Sequence, residues 1–220
     1  MLEKKQWIEA LAGIDMVVNA VGILRERKGE SFAAVHHLAV SALVEACAEL
    51  GIKIVHISAI GLHEGLKAPF SVSKKKGEQA LLCSEADWHI VRASLVEGEG
   101  AYGASWFKKL AQWPIHFVPA KHALISPVHV NTLAEKVVDL LVNETKKVPL
   151  YHRIHELSNG EDYLLPEYLV RLNGGKKRFQ VFIPDLMVRM VTRVCDRFNL
   201  TPLTYGHYEL LKYDSCPTRS

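Results

Sequence analysis

The feature that most constrains this chain is an alternation of short apolar runs and longer helical stripes over its first ninety residues. Residues 14–22, 52–58 and 88–92 are near-continuous apolar runs. Runs of that length without polar alternation suit strands buried on both faces. Between the first two, Phe32, Val35, Ala39, Leu43, Ala46 and Leu50 fall on one helical stripe, with Gly51 as its stop signal. A second helix is predicted from about Ser71 to Ser84, and a short one over 5–12 precedes the first run. Strand, helix, strand, helix, strand predicts a parallel sheet with crossover helices, an α/β Rossmann-like doubly wound fold.

Beyond residue 93 the pattern loosens. The sequence predicts a glycine-rich loop over 97–103, an aromatic-rich helix over 105–113, and strands over 115–119 and 123–130. A helix over 131–142, with Asn131 as N-cap, and a strand over 151–158 follow. Helices near 166–172, 184–198 and 204–212 make the end of the chain a small α-rich region, so the expected division is 1–150 and 151–220.

Composition narrows the function classes. At 49% hydrophobic and 23% charged, the chain has ordinary globular composition and is neither disordered nor low-complexity. A net charge of +3 is too weak to indicate nucleic acid. The four cysteines show no C-x-x-C pair or metal-ligand spacing, which points to reduced thiols and a cytoplasmic protein. The N-terminal MLEKKQWIEALAG has no secretory h-region, and no stretch approaches the ~20 apolar residues of a membrane span. Neither His36-His37 nor His152-x-x-His155 has a third ligand at telling spacing, so no metal is expected; His56 and His129 read as core histidines.

In open parallel sheets, ligands sit beyond the carboxyl ends of the strands. Here those ends read Asn19-Ala20-Val21-Gly22, Ser58-Ala59-Ile60-Gly61 and Arg92-Ala93-Ser94-Leu95. Their small residues let a flat ring approach the backbone. Asn19 is polar inside an apolar run, where burial without a partner is costly, so it is expected to face a pocket or bond the backbone.

With these strand ends go VVNAVGILRER at 17–27, SFAAVH at 31–36, VHISAIG at 55–61, SVSKKKGE at 71–78, VRASLVEGEGAYG at 91–103, PVHVNTLAEKVVDLL at 127–141 and, more loosely, PLTYGHYELLKYD at 202–214. In combination and order they resemble the atypical branch of the short-chain dehydrogenase/reductase (SDR) superfamily, the NmrA-like and complex I accessory-subunit-like NAD(P)-binding proteins. The resemblance implies NAD or NADP as cofactor and an NAD(P)-binding role for region 1–150. It implies that Asn19, Ala20 and Gly22 border the adenine and ribose, that Ser58 hydrogen-bonds a substrate carbonyl, and that Lys74 holds the nicotinamide ribose. Glu78 matches the Glu of Y-x-x-x-K-x-x-x-E, Ser94 and Leu95 match the loop along the nicotinamide, and residues 127–130 a turn on the substrate side.

Two departures stand out. Phe70 occupies the Tyr position of Y-x-x-x-K, and a phenyl ring cannot protonate an alkoxide; Tyr102 is near in sequence only. The glycine-rich phosphate turn that opens the superfamily is absent, and neither 97–103 nor Asn173-Gly-Gly175 follows a strand as that turn does. Relative to the family, roughly 50–60 residues, about two βα units, are missing in front. That leaves the 16–21 strand as an apolar edge, expected to pair with a second copy or another protein partner.

Three readings stay open: an NAD(P)-dependent oxidoreductase or epimerase, a non-catalytic binder of a dinucleotide or protein, and a remnant with no nucleotide site. Trp106, Phe107, Leu110 and Trp113 read equally as core or as lid. Arg189, Arg193 and Arg197, opposite Leu186, Met190 and Val194, read chiefly as a solvated face over a core stripe, with a basic amphipathic helix as the alternative.

Overall fold

The computed structural model describes residues 1–143, 153–198, 204–212 and 216–217. In chain order the first elements are α1 (Lys4–Ala10), β1 (Met16–Asn19), a π-helical turn (Ala34–Leu38) running into α2 (Ala39–Leu50), β2 (Lys53–Ala59), α3 (Pro69–Leu82) and β3 (Trp88–Ala93). Then come β4 (Val96–Glu97), α4 (Tyr102–Ala111), β5 (Ile115–Val118), β6 (Leu124–Ile125), β7 (Val128–His129) and α5 (Val130–Val142). The last are β8 (Ile154–Leu157), β9 (Tyr163–Leu164), α6 (Leu165–Leu172), β10 (Phe179–Phe182), α7 (Asp185–Phe198) and α8 (Tyr205–Lys212). They form two compact units, Met1–Arg92 with Ala134–Glu156, and Ala93–Leu133 with Leu157–Ser220. The division differs from 1–150 and 151–220 because the chain passes between the units more than once, which a linear reading of composition does not register.

The first unit is built on a sheet in the order β1-β2-β3-β8. β1 and β2 are parallel, with Met16 opposite Lys53 and Asn19 opposite His56. β1 ends the sheet, and Met16 and Val18 on it are exposed. The predicted 14–22 run is a strand only over four residues, and Ala20–Gly22 lead away from its carboxyl end. Ile54 and Ile90 from the sheet, Val44 and Cys47 from α2, Leu81 from α3 and Trp88 form one buried cluster. Gly51 ends α2 in the left-handed conformation at φ 68°, where a Cβ would be strained.

The stripe over 31–50 is interrupted at its start, where Ala34–Leu38 winds as a π-helix. Such turns carry one residue more than an α-helical turn and occur often at functional sites. α3 packs tightly on this turn: a Cβ on Gly77 would lie 2.2 Å from the His36 carbonyl oxygen, so only glycine fits.

In the second unit β5 pairs with β10 and β4 with β7, both parallel, and β6 with β9 antiparallel. Phe107 and Ala111 of α4 and Leu165, Tyr168 and Leu169 of α6 form its core. The cluster over 106–113 is therefore split: Phe107 of α4 is core, Trp106 and Leu110 pack at its margin, and Trp113, past the helix end, is exposed. Glu97 at the end of β4 accepts hydrogen bonds from the Tyr168 hydroxyl (2.7 Å) and from Arg171 (2.8 and 3.1 Å). The helix predicted from Asn131 begins one residue earlier, so Asn131 sits inside it. Its cap is His129, which is exposed rather than core and whose Nδ1 accepts the Asn131 N–H at 3.2 Å. His129→Ala is expected to cost about 0.5–1 kcal/mol, the lower part of the range for a lost N-cap, read as a melting point lower by about 1–4 °C.

The stripe on α7 faces the opposite way from the expected core stripe. Leu186, Met190 and Val194 are exposed, and among the helix's described side chains the buried ones are Val188 and Thr192.

Candidate functional site

The carboxyl ends of β1 and β2 carry three buried polar residues, Asn19, His56 and Ser58. Asn19 is buried, and its Oδ1 accepts the Val21 N–H at 3.2 Å, which turns the chain after β1. That bond sets the amide's orientation, so Nδ2 donates to His56 Nδ1, 3.0 Å away on β2. His56 Nδ1 is then the acceptor, and the ring proton sits on Nε2. Protonating Nδ1 would set two donors against each other. Burial first, then the charges of Lys74 and His36, push His56 down from 6.5 to about 3.

Ser58 lies two residues beyond His56 and shares its face of β2. It is 5% exposed, and its Oγ has no hydrogen-bond partner among the described residues. A buried hydroxyl costs free energy unless it gains a hydrogen-bond partner.

Phe70 and Lys74 lie one turn apart on α3, and the Lys74 ammonium sits 5.9 Å from the Phe70 ring centroid. The lysine run has no common role: Lys75 pairs with Glu64 at 2.6 Å and Lys76 is exposed. Burial pulls Lys74 down from 10.5 to about 8, against the opposing pull of Glu78. Glu78, one further turn on, is buried and takes a bidentate pair from Arg92 on β3, its shortest contact 2.7 Å; Glu156 approaches Arg92 at 3.7 Å. The Y-x-x-x-K-x-x-x-E spacing therefore places its three residues along one side of α3, with the Glu serving as the anchor of the helix to the sheet.

Sequence reasoning missed His36 as a positioning residue. The Ile23 N–H donates to its Nε2 at 3.0 Å, so Nδ1 carries the proton and donates to Ser73 Oγ at 3.1 Å. Ser73 in turn donates to the Phe70 carbonyl at 2.8 Å. The ring also stacks on Phe32 and meets Phe70 edge-on. His36 thus ties the segment after β1 to the turn of α3 that carries Phe70. Its signal was a polar residue one turn from the Phe32 stripe.

The structure brings Asn19, Ala20, Gly22, Ser58, Phe70 and Lys74 into one unit; Ala20 and Gly22 are exposed at the strand end. Ser94 and Leu95 belong to the second unit, where the Ser94 N–H donates to the Leu157 carbonyl and the Leu95 carbonyl accepts the Val128 N–H. The Tyr102 side chain, His152 and residues 202–203 and 213–214 of the last matched segment lie outside the described residues. Among the described residues no three His, Cys, Asp or Glu side chains group as metal ligands, and no helix is long and apolar enough to cross a membrane.

A parallel sheet with helical crossovers and polar groups at its strand ends is a Rossmann-like α/β arrangement. Solved structures bear this out for the fold. dTDP-4-dehydrorhamnose reductase from Bacillus anthracis, in complex with NADP, superposes with a TM-score of 0.67 at 16% identity, over 96% of this chain and 85% of that one. A nucleoside-diphosphate-sugar epimerase from Staphylococcus aureus gives 0.67 at 17% identity, over 96% and 70%. UDP-glucuronic acid 4-epimerase from Bacillus cereus, in complex with UDP-glucuronic acid and NAD, gives 0.61 at 15%, over 94% and 76%. Among curated proteins, the ceramide reductase of Caulobacter vibrioides is 24% identical over 127 residues, which is 57% of this chain and 40% of that protein. This chain thus matches about two fifths of the reductase's length. No family model matches the chain.

Proposed function

We propose that this chain is an atypical SDR-type protein that binds NAD or NADP at the carboxyl ends of β1 and β2 and has lost the usual proton donor. The observation that carries this reading is the buried, unpartnered Ser58 hydroxyl on the same face as His56, in the unit that also holds Lys74. The residues present fit the ribose and ring portions of a dinucleotide, while the glycine-rich turn that would hold its pyrophosphate is absent. Ala20 and Gly22 offer close backbone approach, and Lys74 offers an ammonium to ribose hydroxyls. When bound, a reduced nicotinamide supplies a hydride. Ser58 Oγ–H donates to the substrate carbonyl oxygen, and Lys74 holds charge near it. Phe70 has no proton to give, so the developing alkoxide takes one from water, and turnover is slow. The ceramide reductase and the nucleotide-sugar enzymes mark out the carbonyl substrates to try: a keto-lipid and a keto-sugar nucleotide. The reducing cytoplasm is the proposed compartment, in keeping with four cysteines, Cys47, Cys83, Cys195 and Cys216, that form no disulfide among the described residues.

Calorimetric titration with NADH and NADPH tests this. Micromolar binding is expected below pH 8, weakening as pH rises through about 8 where Lys74 loses its charge. Lys74→Met is expected to weaken binding and flatten that dependence. No binding up to millimolar dinucleotide overturns the reading. Where cofactor binds, Phe70→Tyr is expected to raise carbonyl reduction by about 10²-fold, the lower end for a general acid. Binding with no gain favours the non-catalytic binder.

A further inference from the structure

We propose that α7 is a membrane-surface helix that seats the second unit on an anionic lipid bilayer. Its outward face consists of Leu186, Met187, Met190, Val191 and Val194, each between 52% and 71% exposed. Spacings of one, four, five and eight residues place all five on a single helical face, while Val188 and Thr192 turn inward. A helix that shows its apolar side to solvent and its polar side to its own domain is inverted relative to an ordinary surface helix, and something apolar must cover it.

The charges around this face select the cover. Arg189 and Arg193 lie along one flank, and Lys176, Lys177 and Arg178, all exposed, precede β10, which leads into the helix. Residues 176–197 hold six basic side chains and two acids, Asp185 and Asp196. Asp185 is engaged by Arg189 at 2.7 Å, by Lys212 at 3.2 Å and by the Tyr208 hydroxyl, and Asp196 accepts the Tyr205 N–H at 3.0 Å. The stretch is basic on balance, which an anionic surface complements and the same stretch of a second copy does not. Phospholipid headgroups take the guanidinium and ammonium groups while the acyl boundary takes the aliphatic side chains. Phe179 and Phe182 of β10, both exposed, add apolar side chains of the kind found at that boundary. The proposal is independent of the dinucleotide site.

Co-sedimentation of the 220-residue chain with vesicles tests it. The chain is expected to pellet with phosphatidylcholine vesicles containing about 30% phosphatidylglycerol, much less with phosphatidylcholine alone, and to be released by high salt. Met190→Glu with Val191→Glu is expected to cut the bound fraction about tenfold. Both positions are exposed, so the melting point should hold. Arg193→Glu should weaken binding to the anionic vesicles selectively. Three results overturn the proposal: no pelleting with anionic vesicles, pelleting untouched by Met190→Glu and Val191→Glu, or a dimer in light scattering that those substitutions dissolve.

Discussion

Glu78→Ala is expected to destabilise the protein by about 3 kcal/mol, at the lower end for breaking a buried ion pair. Glu78 is buried on α3 and its carboxylate is the bidentate partner of Arg92. Removing it leaves a partly buried guanidinium with Glu156, at 3.7 Å, as its remaining carboxylate among the described residues. The residual solvent access of Arg92 and that second carboxylate keep the cost off the upper end. For a chain of this length the melting point should fall by about 6–12 °C. Replacing both partners by leucine should recover most of the loss, because neither charge then remains to be solvated. Thermal melts of the single and double variants measure both effects. If the single variant melts like the wild type, Glu78 does not anchor α3.

Acid should unfold the protein through His56. Its folded value of about 3 lies below the ordinary 6.5, so between those limits the unfolded chain binds the extra proton. Stability from this group is complete above pH 6.5 and is lost as pH falls toward 3, by up to about 1.4 kcal/mol per pH unit. From pH 6.5 to pH 5 the loss is about 2 kcal/mol. His56→Gln keeps an oxygen to accept the Asn19 amide but has no proton to gain. Its melting point should therefore vary less with pH over that range. Parallel melts from pH 5 to pH 8 check this, and equal slopes would remove His56 as the cause.

The fold was legible where a local pattern had a single outcome. Three apolar runs separated by helical stripes admit little but parallel strands with crossovers, and β2, α3 and β3 lie within a few residues of their predicted places. Asn19 was legible for a similar reason: a polar group in an apolar run needs a partner, and it has two. What escaped was decided between distant segments. The Glu78–Arg92 pair joins a helix to a strand, and His36 joins the segment after β1 to α3, so no spacing along the chain announces either. The interleaving of the two units is equally invisible to composition. On α7 the periodicity correctly predicted an amphipathic helix, but periodicity measures how apolar a face is and not which way it points.

The π-helical turn at Ala34–Leu38 also sets a rule for how this part of the chain can vary. Its surplus residue shifts the phase of everything after it by one step, about 100° of helix rotation. Deleting any single residue from the turn would let it relax into regular α-helix while changing no side chain's chemistry. The cost would be angular. His36 or the α2 face carrying Leu43 and Cys47 would rotate away from its partners, because a rigid helix cannot keep both in register. Substitutions here are read one side chain at a time, whereas a change in length is read by the whole helix at once.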